Sequence, residues 1–174
     1  AIIGVETRYG KFTGRYLVLD SLATLAFGYP KRAKFFRSEL EQFLLLSREE
    51  SVDPLSAKGS YAGAMGKPQF ISSSYRRYAV DHDGDGRRDL WQSNADIIAS
   101  VANYFKTHGW RSGEPVTVQA RPNGNSDLQP FVDAGMKPSI RVGELLANGL
   151  QPLDNAVEAD PQALSSLIRL DAGG

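Results

Sequence analysis

Glu6 is the first carboxylate of the chain, and at helical spacing its neighbours one turn away are Ile2 and Ile3 on one side and Tyr9 and Gly10 on the other. Loss of water penalises an ionised carboxylate, so this placement is expected to raise its pKa and suit it to donate a proton near neutral pH. The competing reading pairs Glu6 with Arg8 or a later cation, or turns it to solvent. A second chemistry is written in residues 81–92, Asp81-His82-Asp83-Gly84-Asp85-Gly86-Arg87-Arg88-Asp89-Leu90-Trp91-Gln92, which match an EF-hand loop at positions one, three, five, six and nine. Asp81, Asp83 and Asp85 would offer carboxylate oxygens, Arg87 its carbonyl, and Asp89 a direct or water-mediated ligand. Gln92 stands at position twelve, where a bidentate Glu is usual, and Arg87 and Arg88 add positive charge. A weak, structural calcium site is therefore expected, not a tight sensor. The alternative is a solvated Asp/Gly turn, in which four carboxylates within nine residues would repel one another without a cation.

Between these two features lies Gly59-Ser60-Tyr61-Ala62-Gly63-Ala64-Met65-Gly66. Its glycines allow a ligand close to the backbone, while Ser60 and Gln69 supply neutral hydrogen-bonding groups suited to hydroxyls and acetamides. Tyr61, Phe70, Tyr75 and Tyr78 offer flat faces for sugar rings; the alternative is a packing loop with Phe70 and Tyr75 in the core. No Gly-Lys-Ser/Thr follows, so this is not a phosphate loop. Lys31, Arg32, Lys34 and Arg37 begin a long helical pattern, where cations oppose the helix dipole; a solvated basic face is the simpler account. His82 and His108 lack partners at ligand spacing, and Ser72, Ser73 and Ser74 read as helix-capping residues.

The elements that must carry these residues are mostly helical. Helices are expected over 2–9, from about Asp20 as cap to Phe27, over 31–50, from Ser72 or Ser73 to Val80, and from Asn94 as cap to Gly109. In the long helix Phe36, Leu40, Phe43, Leu44 and Leu46 form the expected core side; in the last one Ile97, Ile98, Val101, Ala102 and Phe105 do. After Gly113 the pattern changes to a strand over 115–120, a turn at 122–125, a short helix over 142–150 ended by Gly149, and a closing strand over 164–170. The expected fold is α+β: a mainly helical domain, 1–114, with the acidic loop at 81–92, then a small β-containing segment, 115–174. No internal repeat is apparent.

Composition narrows the partners. The 174 residues are 41% hydrophobic and 23% charged, which excludes a disordered chain. Twenty Lys and Arg balance twenty Asp and Glu, so no basic field would hold a nucleic acid. Cysteine is absent, which excludes disulfides, thiol catalysis and Cys-bound zinc. No apolar run reaches the ~20 residues of a membrane span. The start at Ala1, without a cap for the helix that follows, suggests a processed or truncated product.

Gly4-Val5-Glu6-Thr7-Arg8-Tyr9-Gly10, the glycine-rich stretch 59–66, Gln69-Phe70, Ser73-Ser74-Tyr75 and Ala102-Asn103-Tyr104-Phe105 together closely resemble the membrane-bound lytic transglycosylase B family. The resemblance runs from residue 1 to about 110 and weakens beyond. It implies a lysozyme-like α domain that cleaves the β-1,4 bond between N-acetylmuramic acid and N-acetylglucosamine of peptidoglycan without water, leaving 1,6-anhydromuramoyl ends. By this likeness Glu6 is the lone acid and base. Ser60 and Gln69 would be polar sugar-binding residues, Phe70 and Tyr104 ring-facing ones, and Lys31 and Arg32 the basic pair near the peptide-bearing sugar.

Calcium would be structural, with no cofactor required for the chemistry, and the partners would be glycan strands together with other cell-wall enzymes. The implied location is the periplasm, with outer-membrane association through a segment not present in this chain. Lys67-Pro68 and Ile71-Ser72 depart from the family's commoner Tyr-Gly and Met-Pro around Gln69. The resemblance also implies further substrate-contacting aromatics beyond Gly174 and helices before Glu6, so the chain is expected to be a truncated catalyst. A hydrolytic muramidase and a silent glycan-binding module are the alternative functions.

Overall fold

The computed structural model describes residues 1–153 and 160–170. The chain divides into two compact units, Ala1–Arg111 and Ser112–Gly174. All the candidate site residues lie in the first.

The first helix, α1, spans Ile2–Thr7. It stops two residues short of the expected Tyr9 because Arg8 and Tyr9 turn left-handed (φ 50° and 58°) before Gly10 at φ 89°. A two-residue strand, β1 (Tyr16–Leu17), pairs antiparallel with β2 (Lys58–Gly59). Helix α2 runs Val18–Gly28, starting before the expected Asp20, which lies in the first turn instead of capping it. Its buried face is Val18, Leu22 and Ala26.

The helix expected from Lys31 is broken at its start. Pro30–Arg32 forms a 3-10 turn, and α3 then runs Ala33–Glu49. Phe36, Phe43 and Leu46 reach the core, whereas Leu44 is 49% exposed. One residue beyond Phe43 turns the helix by about 100°, which takes Leu44 off the buried stripe.

Helix α4 is Ser72–Tyr78 and α5 is Asn94–Thr107. The expected serine cap of α4 is replaced from another helix: the Ser73 N–H donates to Glu39 Oε2 of α3 at 2.9 Å, with Glu39 itself buried. The Ser72 hydroxyl is buried without a hydrogen-bond partner among the described residues. At α5 the cap is Ser93, one residue before the expected Asn94; its Oγ accepts the Asp96 N–H at 3.2 Å. Ile97 is in the core and Ile98 is exposed. The core of this unit gathers Val18, Leu22, Phe43, Leu46, Met65, Tyr75, Leu90 and Ile97.

Close backbone approach fixes one glycine. Gly14 has φ 103°, and a Cβ there would stand 2.0 Å from the Gly59 carbonyl. Gly14→Ala is expected to cost about 3 kcal/mol through strain and forced separation of the β1–β2 corner. Denaturant unfolding reads this directly, and an unchanged midpoint would contradict it.

In the second unit β3 (Ala120–Pro122) pairs antiparallel with β5 (Leu150–Pro152), and β4 (Ile140–Arg141) with β6 (Leu164–Ser165). Helices α6 (Gln129–Asp133) and α7 (Val142–Ala147) complete it, with Leu128, Ile140 and Leu145 buried. The strand expected over 115–120 begins only at Ala120, because Val116 is 70% exposed and has no ladder to join. The expected closing strand is two residues long, and Gly149 (φ 89°) follows α7 as expected.

Candidate functional site

Glu6 stands on the exposed side of α1, where only Thr7 is buried. The apolar shell expected around its carboxylate is not formed: Val5 is 81% and Tyr9 77% exposed. Pairing with Arg8 is not seen either, since that guanidinium lies over the Phe12 ring, 5.6 Å from its centroid. Among the described residues Glu6 has no hydrogen-bond or ion-pair partner. The residue next to it is anchored. Thr7 Oγ1 lies 2.9 Å from the Lys67 carbonyl and 3.1 Å from that of Ile3, and accepts the Gly10 N–H at 3.0 Å.

The glycine-rich loop is built from its own backbone. Ser60 Oγ accepts the N–H groups of Ala62 and Ala64 at 3.3 and 3.0 Å, and Met65 and Phe70 exchange N–H···O bonds of 2.8 and 3.0 Å. Gln69 sits at φ 54°. Its Nε2 donates to the carbonyls of Thr13 (3.1 Å) and Gly66 (2.9 Å), so both amide protons serve the loop and Oε1 is the atom left for a ligand. Gln69→Ala is thus expected to lower stability by about 1–3 kcal/mol, by orphaning two carbonyls. A melting curve checks it; unchanged melting would mean that the two amide bonds carry no net stability.

Phe70 is 8% exposed, with its ring 5.7 Å from that of Tyr104, which in turn stacks on His108 at 4.1 Å and meets Tyr78 edge-on at 5.1 Å. Phe70, Tyr75 and Tyr78 are therefore core residues, and Tyr104 is half-buried beside them. Tyr61 is 72% exposed and free to act as a platform. Lys31 and Arg32 lie in the 3-10 turn between α2 and α3, with the Arg32 guanidinium 4.3 Å over Phe35 and 5.3 Å over Phe36.

At the acidic loop, Asp81 and Asp83 meet Asp96 of α5, the three bringing carboxylate oxygens within 4.8 Å of one another. Asp85 accepts the Arg87 N–H (2.8 Å), and Asp89 accepts those of Trp91 (2.8 Å) and Gln92 (2.9 Å). Arg87 and Gln92 have exposed side chains. Asp96, in the first turn of α5, is the member that loop spacing alone does not reveal. The available signal is a carboxylate beside Ile97 on the core face of a helix. Burial pushes its carboxyl up, but the N–H groups of His82, Asp89 and Asp83 and the Ser93 hydroxyl outweigh that and hold it below its usual value.

The exit of this loop is clamped. Buried Glu50 accepts the Arg88 N–H (2.8 Å) and Nε–H (2.6 Å), and Tyr75 Oη donates to the Arg88 carbonyl. Burial raises the Tyr75 phenol far above its ordinary pKa, keeping that donor protonated. Leu90, fully buried, then accepts the Lys67 N–H at 2.9 Å, which joins the acidic loop to the glycine-rich one.

The transglycosylase SLT domain model matches residues 1–173. The chain is 51% identical over 175 residues to membrane-bound lytic murein transglycosylase B of Escherichia coli K12, covering 99% of this chain and 45% of that protein. Among solved structures, soluble lytic transglycosylase SltB1 of Pseudomonas aeruginosa superposes with TM-score 0.82 and 56% identity, over 88% of this chain and 52% of that one. A lytic transglycosylase of Escherichia coli, solved in complex with calcium, gives TM-score 0.85 and 49% identity, over 99% and 52%. The chain thus spans about half the length of these relatives. Its helices and small sheets form a mixed, lysozyme-like α+β fold of the kind these neighbours share. On the match across nearly its whole length, the chain belongs to the transglycosylase SLT domain family.

Proposed function

We propose that the protein carrying this chain is a peptidoglycan lytic transglycosylase. It cleaves the β-1,4 bond between N-acetylmuramic acid and N-acetylglucosamine and leaves a 1,6-anhydromuramoyl end. Glu6 gives its proton to the departing N-acetylglucosamine oxygen as the bond to the muramoyl C1 breaks. The muramoyl C6 hydroxyl then attacks C1, and its proton passes to the Glu6 carboxylate, which restores the acid. The substrate's own acetamide stabilises the cationic C1 in place of a protein nucleophile.

The observation that carries this reading is Glu6 itself, a carboxylate without a partner among the described residues, on a helix pinned against the glycine-rich loop. Several other acids of the unit have different employment, while Asp20 and Glu41 are exposed as Glu6 is. Glu39 caps α4, Glu49 and Glu50 pair with Arg76 and Arg88, and Asp53 accepts the Leu55 N–H. Ser60, Gln69 Oε1, Tyr61 and Tyr104 bind the glycan, with Phe70 backing Tyr104, and Lys31 and Arg32 attend the peptide-bearing sugar.

Asp81, Asp83 and Asp96, supported by the rest of the 81–92 loop, hold a structural calcium ion; hard carboxylate oxygens in a flexible loop suit that ion. Calcium takes no part in the bond cleavage. The reading places the protein in the periplasm, among glycan strands. Among the described residues no helix is long and apolar enough to cross a membrane. Mass spectrometry of digested peptidoglycan tests the proposal: anhydromuramoyl ends support it, reducing ends mean a hydrolase, and binding without cleavage a glycan-binding module.

A further inference from the structure

The end of α1 is held by a hydroxyl, and this hydroxyl stands next in sequence to Glu6. Thr7 is 1% exposed, the one buried residue of its helix. A threonine hydroxyl has one proton to give, and two carbonyls lie within reach, Lys67 at 2.9 Å and Ile3 at 3.1 Å. The Ile3 carbonyl already accepts the Tyr9 N–H at 3.0 Å, whereas Lys67 is nearer and sixty residues away in the chain. The Lys67 bond therefore ties two otherwise separate segments, and the lone pair of the same oxygen takes the Gly10 N–H at the left-handed turn.

Lys67 is fixed in its turn. Its N–H donates to Leu90 O at 2.9 Å, its Nζ to Asn94 Oδ1 at 2.8 Å, and its stem lies where a Gly10 Cβ would be, 2.9 Å away. Among the described residues the Glu6 side chain has no such tether of its own. On a six-residue helix, too short to be stable alone, the direction of its Cα–Cβ bond is set by whatever anchors the adjoining turn.

We propose that Thr7 is the positioning residue for Glu6, its hydroxyl bonded to the Lys67 carbonyl and the Gly10 N–H so that the carboxylate keeps a constant place relative to the glycine-rich loop. The inference rests on the reading of Glu6 as acid and base. General acid catalysis demands hydrogen-bond reach of the leaving oxygen, so a loosened α1 lowers turnover more than it weakens binding.

Three variants separate the possibilities. Thr7→Val keeps shape and removes the hydroxyl; it is expected to lower kcat about 10- to 100-fold with KM within about twofold. Thr7→Ser keeps the hydroxyl and is expected to restore kcat to within about threefold of the parent. Glu6→Gln is the reference: if it retains full activity, or if the parent shows no Glu6-dependent cleavage, the acid/base reading fails, whatever Thr7 does. A readout independent of turnover is 15N relaxation and hydrogen exchange at the Glu6 and Gly10 amides. Faster exchange at Gly10 and greater motion at Glu6 in Thr7→Val, reversed in Thr7→Ser, support the assignment. An unchanged Glu6 and Gly10 in Thr7→Val overturns it, as does a Thr7→Ser variant no better than Thr7→Val. Should Thr7→Val not fold, Thr7→Ser and Thr7→Ala carry the same comparison.

Discussion

Glu6→Gln is expected to lower the rate of peptidoglycan cleavage by about 10³-fold or more while leaving the melting temperature of the chain essentially unchanged. The two halves of this expectation come from one fact. Glu6 is exposed, and among the described residues it touches no cation, N–H donor or hydroxyl, so its charge contributes no pairing to the fold. Surface substitutions of that kind usually shift stability by no more than about 0.5 kcal/mol. The amide keeps the shape and a hydrogen-bonding tip but neither gives up a proton to a sugar oxygen nor takes one from a C6 hydroxyl. Turnover and a thermal melt on the same preparation check it. A variant within tenfold of the parent would remove Glu6 from the chemistry, and a loss of activity matched by a loss of melting temperature would recast it as a structural residue.

The motif around Glu6 was legible because its residues are contiguous; the environment of Glu6 was not. Helical spacing placed Ile2, Ile3 and Tyr9 around it, but α1 ends at Thr7 and only that residue meets the core, so the expected shell never closes. Periodicity reports which residues share a face, and only packing reports which face is covered. The same gap separates Leu44 from Leu46 on α3 and Ile98 from Ile97 on α5. Gln69 shows a different limit. Its type suggested a sugar-binding amide, yet its left-handed backbone turns Nε2 back onto Thr13 and Gly66, two bonds that depend on chain segments 56 and three residues away. Helix caps show a similar limit. In sequence Ser72 or Ser73 suffices as a cap, whereas Glu39 from α3 supplies the acceptor that the Ser73 N–H uses.

Asp96 is the residue for which this difference carries the largest measurable consequence outside the chemistry. A loop template reads positions one to twelve and stops at Gln92, while the fold brings Asp96 back to Asp81 and Asp83 from the first turn of α5. With calcium bound to the folded chain alone, stability rises by RT ln(1 + [Ca]/Kd), about 2.7 kcal/mol at a hundredfold excess over Kd. For a unit of this size, calcium added to the chelated chain is thus expected to raise the melting temperature by about 5 °C or more.

Asp96→Asn should abolish that increment. The variant also loses charged acceptance of the His82 and Asp89 N–H groups (2.8 and 2.9 Å), so the quantity to compare is the calcium-dependent rise and not the melting temperature itself. Asp85→Ala should keep a measurable part of the rise, because Asp85 lies outside the three-carboxylate cluster. The pH dependence has a definite sign: Asp96 titrates below its unfolded value when folded, so its contribution is complete above about pH 4 and is lost as pH falls through the lower, folded value. Calorimetric or fluorescence melts with and without a chelator decide it. Equal calcium responses in parent and Asp96→Asn would dismiss Asp96 as a ligand, and no response in the parent would dismiss the structural ion altogether.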